Sequence, residues 1–137
     1  MIIVVLGLSW QQKSSIQILK KNKYKIIGID GDINCECKNL VDIFLNIDLL
    51  KTKEIYHQLN IRKIKPKYIF SFNSEIALLP AAKLRSVYKM KGLSIKDTNF
   101  LLNKINLKKF LKKNKFNFNE FFVLRSLNEY ISIKKNL

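Results

Sequence analysis

Residues 2–6, Ile-Ile-Val-Val-Leu, form an unbroken apolar run that stops at Gly7. A continuous run of this length and β-branched character predicts a strand covered on both faces, as in a parallel sheet. Residues 12–22 follow with Ile16 and Leu19 at helical spacing, and residues 24–30, Tyr-Lys-Ile-Ile-Gly-Ile-Asp, return to strand character. Together they predict one right-handed β-α-β unit. Residues 41–47 predict a shorter third strand, residues 52–64 a helix with Ile55 and Leu59 on one face that ends before Pro66, and residues 67–72 a fourth strand. Strands alternating with helices in this rhythm predict an α/β layered domain built on a parallel sheet flanked by helices.

The pattern then changes. Residues 74–90 predict a long helix with Ile76, Leu79, Leu84, Val87 and Tyr88 on its apolar side, and Pro80 predicts that the regular helix begins late. Ser94-x-x-Asp97 has the form of a capping box that opens a helix through Leu102. Residues 104–114 predict another helix, with Leu107, Phe110 and Leu111 as its buried stripe. The aromatic stretch 116–123, with Phe116, Phe118, Phe121, Phe122 and Val123, predicts a last strand. Ser126-x-x-Glu129 caps a terminal helix carrying Leu127, Tyr130 and Ile131 on one side. The chain stops soon after that helix begins, without a return to a sheet, and the expectation is that something downstream is missing.

Composition changes this picture little and charge changes it more. A length of 137 residues without an internal repeat allows one buried core, and 4 Gly with 2 Pro exclude collagen-like or disordered character. The net charge of +16 has the size of a polyanion binder's, but all except three of the 26 basic residues are Lys, the exceptions being Arg62, Arg85 and Arg125. Planar recognition of phosphate and base edges favours Arg, so a solvated lysine-rich surface is the plainer reading and nucleic acid is not an expected partner. The densest cluster, Lys104, Lys108, Lys109, Lys112, Lys113 and Lys115, contains no acid. A small basic module for nucleic acid or another polyanion is therefore kept as the alternative function. No run of 18 apolar residues occurs, so no membrane span is expected, and residues 2–8 lack the basic flank and cleavage site of a secretory signal. Cys35 and Cys37 stand two apart, too close for an unstrained bridge, and read as reduced thiols of a cytoplasmic protein.

Chemistry-bearing residues are few. His57 is the sole histidine and falls in a helix beside Tyr56 and Leu59, so no Ser-His-acid or Cys-His arrangement can be assembled. The loop after the first strand, Gly7-Leu8-Ser9-Trp10-Gln11-Gln12, lies where α/β sheets bind ligands but keeps only the first glycine of the dinucleotide fingerprint. Asp30, Asp32, Asp48 and Glu75 are the acids expected just past strand ends. Asp30 and Asp32 flank Gly31 in a turn arrangement that either caps exposed amides or faces a ligand. Glu75, after Asn73-Ser74, is either a helix N-terminal acid or a substrate contact.

The order of these motifs resembles a known family. A strand ending in Gly-x-Ser-Trp-x-Gln, a second ending in Asp30-Gly31-Asp32, a fourth leading to Asn73-Ser74-Glu75 with Pro80 following, a helix start at Asn103-Lys104 and a phenylalanine-rich stretch resemble the N-terminal region of ATP-grasp ligases, in particular the carbamoyl-phosphate-synthase-like ones. The resemblance implies a Rossmann-like pre-ATP-grasp domain over residues 1–92 and the truncated beginning of an ATP-grasp small lobe over 93–137. It implies phosphorylation of a small-molecule carboxylate by ATP with Mg2+, giving an acyl phosphate that a nucleophile attacks. Gly7, Ser9, Trp10, Asp30, Asp32, Ser74 and Glu75 would lie on substrate-side loops, and Lys104 would reach toward ATP phosphates. The chain departs from the family in having Asn117 and Asn119 where a proline is usual. The second ATP-binding lysine, the glycine-rich lid and the magnesium carboxylates would lie beyond Leu137, in a C-terminal portion that is the expected partner. The resemblance therefore implies part of an enzyme rather than a competent ligase.

Overall fold

Residues 1–117 and 119–134 are described in a computed structural model of the chain. A run of five apolar side chains cannot alternate between core and solvent, so its strand must be covered on both faces. β1 (Ile2–Leu6) meets that requirement at an interior position of the sheet, with Val4, Val5 and Leu6 fully buried. β2 (Lys25–Asp30) and β4 (Tyr68–Phe70) pair with it on either side, and β3 (Ile43–Asn46) pairs with β2. All pairings are parallel, and the strand order is β3-β2-β1-β4.

Side-chain alternation divides the core into two layers. Val4, Leu6, Ile27, Ile29 and Ile69 pack with Ile55 and Leu59 of α2 (Thr52–Ile61) and with Ala77, Ala81 and Leu84 of α3 (Glu75–Val87). Ile3, Val5 and Ile26 face the other way, toward Leu8, Cys35, Cys37 and Ile16 of α1 (Lys13–Lys21). Gly28 sits in mid-strand because Leu8 and Val41 fill the space beside it: a Cβ there would lie 2.8 Å from both Leu8 Cδ1 and Val41 Cγ1. The α/β expectation holds, and most boundaries shift by only a few residues.

Two expectations do not hold. α3 opens at Glu75 rather than late, with Pro80 inside it and buried. Pro80 removes the N–H that the Ile76 carbonyl would otherwise bond, and the helix continues through it. The strand expected over 116–123 is absent among its described residues, Phe118 lying outside them. An aromatic stretch becomes a strand only beside a second strand, and none is described in that part of the chain.

The capping signals are realised. α4 (Ile95–Leu102) opens with the Asp97 N–H donating to Ser94 Oγ at 3.0 Å and the Ser94 hydroxyl donating to the Asp97 carboxylate at 2.7 Å. α5 (Lys104–Lys113) is capped by Asn103, whose Oδ1 accepts from the Asn106 N–H at 3.0 Å. At α6 (Leu127–Lys134) the Glu129 N–H donates to Ser126 Oγ at 3.2 Å, while the Glu129 carboxylate accepts from the Arg125 N–H at 2.6 Å. The chain separates into two compact units, 1–99 and 100–137. Every buried side chain belongs to the first; among the described residues of the second, none is buried. Among the described residues no helix is long and apolar enough to cross a membrane.

Candidate functional site

From β1 the chain winds outward to β2 and β3, then crosses back to place β4 on the other side of β1. The segments leaving β1 and β4 therefore depart in opposite directions, and a crevice opens between them at the carboxyl edge, the usual ligand position of a doubly wound sheet. A cavity of about 550 Å³ lies there. Trp10 and Gln11 form one wall; Phe72, Asn73, Ser74, Glu75 and Leu78 form the other.

Local chemistry holds the two walls together. Gly7 has a left-handed φ of +83°, and a Cβ on it would lie 3.4 Å from the Ser74 Cβ, so the two segments meet at a point where a side chain has little room. Asn73 Nδ2 donates to the Gln11 carbonyl at 3.1 Å, and Ser71 Oγ donates to the Ser74 carbonyl at 3.1 Å. The Ser9 carbonyl accepts from Cys37 Sγ at 3.2 Å, and the Cys37 N–H donates to the Leu8 carbonyl at 2.9 Å. Trp10 projects from this braced turn and is 67% exposed. Gln12 is its opposite: fully buried, with neither amide atom hydrogen-bonded among the described residues, and its Nε2 only 3.6 Å from where a Gly7 Cβ would stand.

Asp30 and Asp32 lie at the same edge of the sheet but do not line the cavity. Asp30 Oδ2 accepts from the Leu8 N–H at 2.6 Å and Oδ1 from the Asp32 N–H at 2.9 Å, so one carboxylate clasps the segments that follow β1 and β2. Asp32 Oδ1 in turn accepts from the Asn34 N–H at 2.8 Å. Glu75, in the first turn of α3, is the one charged side chain in the cavity wall. Burial pushes the Cys35 thiol up to about 11, with Asp30 and Asp32 adding to the shift, and burial also raises Cys37. Both remain protonated at neutral pH, so Cys37 acts as a donor and neither is a thiolate nucleophile.

Lys104 belongs to the second unit, as the first residue of α5. There it lines a cavity of about 350 Å³ with Ile105, Lys108, Phe121, Phe122, Val123 and Leu124. Its lining combines an apolar wall with the side chains of Lys104 and Lys108. Among the described residues no three His, Cys, Asp or Glu side chains gather into a metal-holding group. Of the expected site residues, the structure brings Trp10, Ser74 and Glu75 to the crevice wall, packs Gly7 against Ser74, leaves Ser9, Asp30 and Asp32 outside the lining, and keeps Lys104 in the other unit. Sequence reasoning did not single out Asn73 and Gln11 as wall residues; the hydrogen bond that joins them, across 62 residues of chain, left no local signal.

Comparison with known structures defines the class: the chain has the fold of the N-terminal region of ATP-grasp ligases. The particular relatives include phosphoribosylglycinamide synthetase from Anaerococcus prevotii, at 19% identity and a TM-score of 0.72, covering 99% of this chain and 34% of that one. N5-carboxyaminoimidazole synthetase from Staphylococcus aureus, solved with ADP, gives 18% identity and 0.73, covering 99% and 36%. L-amino acid ligase from Bacillus licheniformis gives 14% and 0.73, covering 93% and 34%. The chain therefore spans about a third of the length of these ligases. No family model matches it, and no curated protein matches it by sequence.

Proposed function

We propose that the chain is the substrate-side, N-terminal segment of an ATP-grasp carboxylate ligase of the carbamoyl-phosphate-synthase-like kind, and that it is inactive as a ligase alone. The observation that carries this reading is the crevice between β1 and β4, in a fold whose likeness to ligases runs over nearly all of this chain but only a third of theirs. In this reading residues 1–92 are the pre-ATP-grasp domain and 93–137 open the small lobe. Gly7 lets the first loop approach Ser74. Trp10, Ser74 and Glu75 orient a small carboxylate substrate, Ser9 and Asp30 hold the loops, Asp32 orders the turn beyond, and Lys104 offsets phosphate charge. ATP with Mg2+, bound once the C-terminal portion is present, would supply the phosphoryl group. Two unbridged cysteines, Cys35 and Cys37, are in keeping with a reducing compartment, the cytoplasm.

The test is a protein extended through the reading frame that follows codon 137. The extended protein is expected to bind ATP with Mg2+ and to release ADP when the right carboxylate is supplied, whereas the 137-residue chain releases none. Lys104→Ala in the extended protein is expected to weaken ATP binding about tenfold, the loss of one charge-assisted contact. An extension that encodes no lid or metal carboxylates, or that fails to bind ATP, overturns the reading.

A further inference from the structure

β4 is an edge strand, and its open side bears a second concavity, separated from the crevice by Leu78. Beyond α3 the chain doubles back across this side. Gly92, at a φ of +148°, lies directly over the guanidino group of Arg85: a Cβ there would come within 2.7 Å of Arg85 Nε. Arg85, in the last turn of α3, donates from Nη1 to the Ile69 carbonyl at 3.2 Å. Its Nε is buried with no acceptor among the described residues. Burial shifts the guanidinium below its ordinary range.

The cavity measures about 450 Å³, within the range of small-molecule sites. Tyr68, Phe70, Leu78, Met90 and Leu93 give it apolar walls, Lys67 and Lys91 flank Arg85, and no lining side chain is acidic. An apolar hollow with a guanidinium and two lysines in its lining is the complement of an anion carried on an apolar body. A second copy of this chain fits badly, because it would bring the same three cations and a net charge of +16 against this patch. Bracing of the strand edge accounts for the bond to Ile69 but leaves the apolar hollow beside the guanidinium unfilled.

We propose that the hollow bounded by Arg85, Gly92 and the edge of β4 binds a small monocarboxylate with an aromatic or branched apolar body. The site stands on the flank of the sheet and does not rest on the ligase reading, so it is tested on the 137-residue chain itself, with no ATP present. The probe is 3-phenylpropionate, titrated into 15N-labelled protein while backbone amide shifts are followed. Saturable shifts are expected at Tyr68, Phe70 and Met90 to Leu93, with the neutral 3-phenylpropanamide at least about tenfold weaker. Arg85→Gln is expected to abolish the shifts. Because that change also removes a brace from β4, Lys91→Gln serves as a second variant and is expected to weaken binding about twofold to threefold, as for a flanking charge. Equal binding of acid and amide, shifts centred on Trp10 and Glu75 instead, or undiminished binding in a folded Arg85→Gln protein would each overturn the proposal.

Discussion

Residues 1–99 and residues 100–137 carry the same kind of amphipathic periodicity and turn it to different ends. In the first unit each apolar helical face meets a sheet: Ile55 and Leu59 of α2 and Ala81 and Leu84 of α3 are buried against Val4, Ile27 and Ile69. In the second, the stripe of α5 is only partly covered. Phe110 meets Phe100 edge-to-face at 5.5 Å and is still 45% exposed, and Leu127 of α6 is 71% exposed. The contrast teaches that an amphipathic stripe states a requirement for a neighbour without showing that the neighbour is present. A sheet supplies a broad surface to helices on both faces; short helices joined by irregular chain do not.

The sharpest way to break this comparison is truncation at an interior strand. Leu6→Ala removes a fully buried side chain between two layers and is expected to cost about 2–5 kcal/mol, read by urea unfolding. A loss below about 1 kcal/mol would mean that the first unit is not the stable one. Asp30→Ala is next, because it strips acceptors from the Leu8 and Asp32 N–H groups and is expected to cost about 1–3 kcal/mol. Its effect should also appear as faster hydrogen exchange at Leu8, since the clasp secures the loop and not the sheet.

Cys35 tests burial through pH. Its thiol is raised from 9.0 to about 11 in the folded protein, so folding favours the protonated form. That contribution is fully present below pH 9 and fades as pH rises through about 11. Between those values wild type is expected to lose stability relative to Cys35→Ala, and a pH-independent difference between them would show that the thiol is not shielded. The smallest effect belongs to the second unit: Leu127→Ala, on an exposed face, is expected to change stability by no more than about 0.5 kcal/mol. A large loss there would reveal a core in residues 100–137 and erase the contrast.

Legibility in the sequence followed the same division. β1 and β2 were readable because an unbroken apolar run has few other fates, and the caps at Ser94 and Ser126 because each is settled within four residues. The ligand-side placement of the loop after β1 and of the start of α3 was readable from their positions after strands, but the crevice between them required the strand order that the structure supplies. What stayed hidden was non-local. Nothing near Asp30 announces that Leu8, 22 residues away, will take one of its oxygens, and nothing near Gly92 announces Arg85. Pro80 misled because local propensity was overridden by the packing of Ala77, Ala81 and Leu84 against the sheet. The 116–123 stretch misled because strand character depends on a neighbour that the stretch itself does not contain.

Gly28 sets an order of events in time. The gap that it leaves beside Leu8 exists only after β1 and β2 have aligned with Val5 opposite Gly28, so the turn bearing Trp10 has nowhere to seat until then. During refolding, exchange protection of the Cys37 N–H, which donates to the Leu8 carbonyl, should therefore appear after that of the β1–β2 ladder, making this amide a clock for the last stage of assembly.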